Sequence, residues 1–104
     1  MTTYTVNSGQ TSAGLILNAG DELDILFGGI ANGTVVNDGT EYIQGGVASG
    51  TVVNSYGSQE IMSGGTASGT VVNSGGTETI SAGGIASGSV INSGGVIIHS
   101  PIRM

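Results

Sequence analysis

Short apolar runs alternate with small polar corners along nearly the whole chain. Gly64–Ala82 reads GGTASGTVVNSGGTETISA, and copies of it lie on either side. Gly45–Ser63 is GGVASGTVVNSYGSQEIMS, and Gly83–Pro101 is GGIASGSVINSGGVIIHSP. Gly28–Gln44 is a shortened copy, GGIANGTVVNDGTEYIQ, and Gly9–Phe27, GQTSAGLILNAGDELDILF, a degenerate one. The Asn of each copy sets the period. Asn18 to Asn37 is 19 residues, Asn37 to Asn54 is 17, and the steps to Asn73 and Asn92 are 19 each. A fixed period near 20 residues signals a solenoid, in which each unit buries its apolar face only against its neighbours.

The pattern predicts two short β segments per unit. The first is Thr34–Asn37, Thr51–Asn54 and Thr70–Asn73. The second centres on Ile43, Ile61 and Ile80. Gly-Gly or Ser-Gly-Gly flanks each segment and permits the positive-φ backbone of a tight corner. No helical period appears. Coils stacked at about 4.8 Å make an all-β, parallel β-helix (a β-solenoid) of about five coils.

Equivalent residues then line up in columns. Ala31, Ala48, Ala67 and Ala86 are expected at the tight inside of a bend. Asn18, Asn37, Asn54, Asn73 and Asn92 form a structural ladder whose amides bond along the axis or satisfy corner backbone. Alternation sends the two members of each valine pair to opposite faces. Val36, Val53, Val72 and Ile91 are assigned inward. Val35, Val52, Val71 and Val90 then leave an apolar stripe outside, a candidate contact surface.

The chain reads as one solenoid domain over residues 1–104. Residues 1–27 form an atypical N-terminal capping coil, beginning with half a unit in which Tyr4 helps cover the open end. Residues 28–95 are the regular body. The copy at residues 28–44 loses its two residues at the corners around the second strand, where length changes are tolerated. Residues 96–104 form a C-terminal cap or tail. There Val96-Ile97-Ile98 replaces Thr-Glu-Thr, His99 enters the isoleucine column, and Pro101 ends strand pairing. This end is expected either to be capped by Ile102–Met104 or to be a cut through a longer array.

Composition narrows the function. Seven acids face one base, Arg103, among 104 residues. No cluster of cations exists to replace phosphate counterions, which argues against nucleic acid and anionic membrane as partners. There is no cysteine, so no disulfide framework or thiolate site. MTTYTVNSG has neither the basic nor the apolar region of a signal peptide, and no apolar run reaches membrane-spanning length. The expectation is that a signal lies outside this chain or that export takes another route.

Candidate chemistry is thin. Asp21, Glu22 and Asp24 offer oxygen ligands for calcium, but a solvated acidic face is the preferred reading. The calcium-roll pattern G-G-x-G-x-D is absent. Glu41, Glu60 and Glu78 stack roughly along the second strand. Glycan hydrolysis would need two apposed carboxylates, and a charged surface row is preferred. Arg103 stands alone as a lyase base. His99 has no second His or Cys for a metal. Asn32-Gly33-Thr34 matches the N-glycosylation pattern and is read as chance. The expectation is a non-enzyme without metal or cofactor.

The unit GG-x-A-S-G-T-V-V-N-S-G-G-T-x-x-I resembles the AIDA-type repeat of bacterial autotransporter adhesins. The resemblance covers Gly28–Gly95 well and Gly9–Phe27 loosely. It implies a right-handed β-helix in an exported passenger domain, extracellular or at the cell surface. It further implies adhesion, autoaggregation and biofilm formation by self-association. In that family the first valine of the pair is often Thr while the second stays Val or Ile, in line with the inward column. Some such passengers are heptosylated on Ser or Thr by a dedicated glycosyltransferase. By resemblance Ser49, Ser68, Ser87, Ser55, Ser74 and Ser93 are candidate acceptors. Host or bacterial surface glycans are further partners to consider. The competing readings are a passive spacer and a glycan-binding module.

Overall fold

The computed structural model describes residues 2–99 as sixteen short strands, β1 to β16 in chain order, and contains no helix among those residues. Every third strand joins the same sheet. The first sheet stacks β1 (Thr3–Val6), β4 (Glu22–Leu26), β7 (Thr40–Gln44), β10 (Ser58–Ile61), β13 (Thr77–Ile80) and β16 (Val96–His99). The second stacks β2 (Thr11–Ala13), β5 (Ile30–Asn32), β8 (Val47–Ser49), β11 (Thr66–Ser68) and β14 (Ile85–Ser87). The third stacks β3 (Ile16–Leu17), β6 (Val35–Val36), β9 (Val52–Val53), β12 (Val71–Val72) and β15 (Val90–Ile91). All ladder pairings are parallel and in register, so Leu17, Val36, Val53, Val72 and Ile91 form one line. This is the expected parallel β-solenoid.

Each coil carries three strands where two were expected. The missed strand is the Ala-Ser segment, too short and too small in its side chains to read as β. Its alanines sit mid-strand and face the core, not inside a bend. Ala31, Ala48 and Ala67 are fully buried. A small residue is needed there because Val36, Val53, Val72 and the isoleucine column Ile25, Ile43, Ile61 and Ile80 fill the interior from the other two sheets.

The valine pairs divide as expected through most of the stack. Val36, Val53 and Val72 are 0% exposed, whereas Val35, Val52 and Val71 are half-buried on the outer face. At the last coil Ile91 rises to 37% exposed.

The corners explain the paired glycines. At Met62–Gly65 the Gly65 N–H donates to the Met62 carbonyl, closing a four-residue turn. Gly64, the third residue, has φ +83°, the left-handed position of a type II turn. Gly65 has a different reason: a Cβ there would lie 2.5 Å from the Ile43 carbonyl of the coil below. The short coil loses one residue from each of two corners. Asp38 stands where the next coil has Ser55-Tyr56, and Gln44 where it has Met62-Ser63. Register on both sides is kept.

At the N-terminal end β1 pairs along its whole length with β4. Tyr4 lines a recess of about 410 Å³ there, together with Val6, Gln10, Leu15 and Leu23. At the other end Val96–His99 is a paired strand. The expected cap over Ile102–Met104, and Pro101, lie outside the described residues.

Val72→Asp places a charge in the core without a partner and should unfold the stack, a loss of about 4 kcal/mol or more. Val71→Asp points outward and should cost far less. Thermal melts of the two variants check the assignment, and equal losses would defeat it.

Candidate functional site

The repeated exterior is the candidate site, and it is built of straight columns. On the second sheet Thr11, Ile30, Val47, Thr66 and Ile85 form one outer line. Asn32, Ser49, Ser68 and Ser87 form the next, all exposed. Past the Gly-Thr corner the third sheet presents Ile16, Val35, Val52, Val71 and Val90. A hydroxyl column therefore runs between two largely apolar ones. Ile16 (52%), Ile85 (59%) and Val90 (51%) are the most open members of the stripes.

The six candidate serines fall in two settings. Ser49, Ser68 and Ser87 stand beside Gly50, Gly69 and Gly88. A Cβ on Gly69 would meet nothing within 4 Å, and one on Gly50 or Gly88 only the glycine nitrogen of the coil below. This flank is open. Ser55, Ser74 and Ser93 sit at the Asn corner and are also exposed. The Ser55 hydroxyl is tucked under Gly75 and that of Ser74 under Gly94, 2.7 and 2.5 Å from where a Cβ would stand. Asn32 stands above Ala13 in the first column, but the Thr34 of its Asn-Gly-Thr triplet is fully buried.

Beside the corner serines runs the asparagine ladder. Asn54 Nδ2 donates to Asn37 Oδ1 at 2.8 Å, Asn73 to Asn54 at 2.8 Å, and Asn92 to Asn73 at 2.7 Å. An amide carries both a donor and an acceptor, so a column of them satisfies itself. The carbonyls of Asn54, Asn73 and Asn92 also close the corner turns, accepting from Gly57, Gly76 and Gly95. Asn18 lies below Asn37 in register without extending the amide chain. Its backbone N–H donates to Asp21 Oδ2.

The acidic candidates separate. Asp21 is a corner brace: its two carboxylate oxygens accept from the Asn18 and Thr2 N–H groups, each at 2.9 Å. Those bonds, Asn18 first, hold its carboxyl below the ordinary value. Glu22 and Asp24 share the outer face of β4. A hydrogen bond between their side chains raises Glu22. Among the described residues no three acidic, His or Cys side chains gather to hold a metal.

The expected surface row of Glu41, Glu60 and Glu78 does not exist. Glu60 pairs in register with Tyr42 and Thr79 on the outer face. The residue between Glu41 and Glu78 is Gln59, and all three are 0% exposed, inside the core. The signal was present in the sequence: each lies two residues before an inward isoleucine, hence on the same face. Burial removes both carboxyls from any glycan at the surface.

Residues 38–95 match the family described as "AIDA: Adhesin of bacterial autotransporter system, probable stalk". The chain belongs to the AIDA stalk family. Among solved structures, the crystal structure of a TibC-catalyzed hyper-glycosylated TibA fragment, residues 55–350, is similar, with TM-score 0.81 and 33% identity. The match covers 95% of the AIDA-type chain and 43% of the TibA fragment, so this chain spans less than half that fragment's length. Comparison with curated proteins finds no match.

Asn73→Ala breaks two ladder bonds and should lower stability by about 1–2 kcal/mol. Ser68→Ala, on the open outer face, should stay within about 0.5 kcal/mol of the parent. Urea melts of both check the difference, and equal effects would remove the ladder from the account of stability.

Proposed function

We propose that this AIDA-type solenoid is an adhesive stalk module of a bacterial surface protein, extracellular and non-catalytic, working through self-association. One observation carries the reading: the exterior repeats the same apolar and hydroxyl columns in register across the coils. A partner that contacts one coil weakly meets the same contact again one strand spacing further on. Avidity then replaces a single strong site. The contact faces are the valine stripe of the third sheet and the neighbouring hydroxyl column. The same columns of hydroxyls and amides would serve surface glycans as an alternative partner.

A Ser/Thr glycosyltransferase, of the heptosyl-transferring kind that the repeat's resemblance implies, is the second proposed partner. The hyper-glycosylated state of the TibA fragment supports it. Ser49, Ser68 and Ser87 are the better acceptors on steric grounds, because their flanking glycines leave room that the tucked Ser55 and Ser74 lack. Ser93 shares the corner position of those two.

The family's description as a stalk favours a second reading, a passive spacer that holds another domain away from the cell. Sedimentation velocity over a range of concentrations separates the two. Reversible dimers or longer species, diminished by Val52→Ser and Val71→Ser together, are expected for the adhesive module. A monomer at every concentration would overturn self-association and favour the spacer.

A further inference from the structure

The interior holds a polar spine that neither adhesion nor stalk formation uses. It runs up the first sheet as Leu23, Glu41, Gln59, Glu78 and Ile97, one residue per coil. Glu41 Oε1 accepts from Gln59 Nε2 at 2.8 Å and from Thr51 Oγ1 at 3.0 Å. Thr70 Oγ1 donates to Gln59 Oε1 at 3.1 Å. Ser89 Oγ lies 3.3 Å from Glu78 Oε2. One oxygen of each carboxyl is left over: Glu41 Oε2 and Glu78 Oε1 are buried and complete no hydrogen bond, and nor does Thr34 Oγ1.

No cation answers either carboxyl. The side chains around Glu41 are Thr34, Thr51 and Gln59, and those around Glu78 are Thr70, Ser89 and Gln59. All are neutral. The other groups turned inward from the three sheets are alanine, valine, leucine and isoleucine, with Tyr4 below Leu23 and Ser12 below Ala31 at the N-terminal end. Asp24, Tyr42 and Glu60 occupy the opposite face of the first sheet. His99 continues the isoleucine column at the exposed end. A bare carboxylate in such surroundings gives up its charge instead of remaining buried.

We propose that Glu41 and Glu78 are held as neutral carboxylic acids, and that their two protons make the stack a pH-sensitive structure, tightest in mild acid and loosened in its middle coils as pH rises. Protonated at Oε2, Glu41 becomes a donor and Thr34 Oγ1 the acceptor beside it. Protonated at Oε1, Glu78 donates toward Thr70 Oγ1, whose own proton goes to Gln59. Every leftover atom then has a partner. Gln59 is the permanent version of the same device, an amide whose donor cannot be titrated away.

Burial pushes both groups up, against the hydrogen bonds that Glu41 accepts from Gln59 and Thr51 and that Glu78 accepts from Ser89. The folded state therefore binds protons more tightly than the unfolded chain. Their contribution is complete below the unfolded value near 4.5 and is lost as pH rises through the raised folded value. Asp21 acts in the opposite sense: its lowered carboxyl supports the corner above about 3.8 and is lost in stronger acid.

The test is thermal unfolding of the full chain between about pH 4.5 and pH 8.5, alongside Glu41→Gln, Glu78→Gln and the double variant. The parent should lose about 5 °C or more of Tm across that window. The double variant should melt higher than the parent at the alkaline end and show a flat profile. A flat parent profile, or a slope that survives in the double variant, overturns the proposal. Carbon-13 titration of the glutamate carboxyls in the unmodified chain reads the protons directly, whether or not the variants fold. Two glutamate carboxyls that stay protonated to higher pH than an ordinary glutamate support the proposal. Ordinary titration of all glutamates overturns it.

Discussion

In-register parallel stacking places every side chain against its own counterpart one strand spacing away, about 4.8 Å. This condition decides which residues the fold accepts. Isoleucine on isoleucine packs well. Asparagine on asparagine bonds, because each amide gives and takes at once. Carboxylate on carboxylate repels, and inside the core it would also be desolvated. The stack answers by placing Gln59 between Glu41 and Glu78 and by closing the column with Leu23 and Ile97. The same closeness leaves no room for a Cβ at Gly65 against the carbonyl of the coil beneath.

The period, the parallel stack, the isoleucine column and the inward valine were legible because periodicity and alternation leave direct marks on a sequence. The third strand was not. Its Ala-Ser core has no β-branched pair, and a two- or three-residue strand supported wholly by its neighbours has little propensity of its own to show. The buried glutamates were missed for another reason. Their charge points to the surface, whereas alternation with Ile43 and Ile80 places both acids inside. Glu60, one residue before Ile61, is the true outer acid. At the surface, the serines could be named from the repeat. Their unequal settings depend on which glycine of the next coil lies overhead, and no single coil's sequence contains that.

Function on such a scaffold is distributed. The corners and the interior keep the columns straight, and the columns are the repeated surface on which the proposed contacts rest. The apolar stripe, the open hydroxyl line and the amide ladder occupy different angular positions around one axis. Each can be altered without disturbing the others, since outward residues are separated from the core by one step of alternation.

The coil at residues 28–44 is two residues shorter than its neighbours, yet it keeps register on both sides because one residue is dropped at each of two corners. The unit that must be conserved is thus a closed loop of backbone, and not a count of amino acids. Unequal recombination between repeats in the coding DNA would add or remove such loops whole. Each product would still find a matching surface above and below it. The reach of the molecule can therefore evolve in steps of one coil while its chemistry stays fixed.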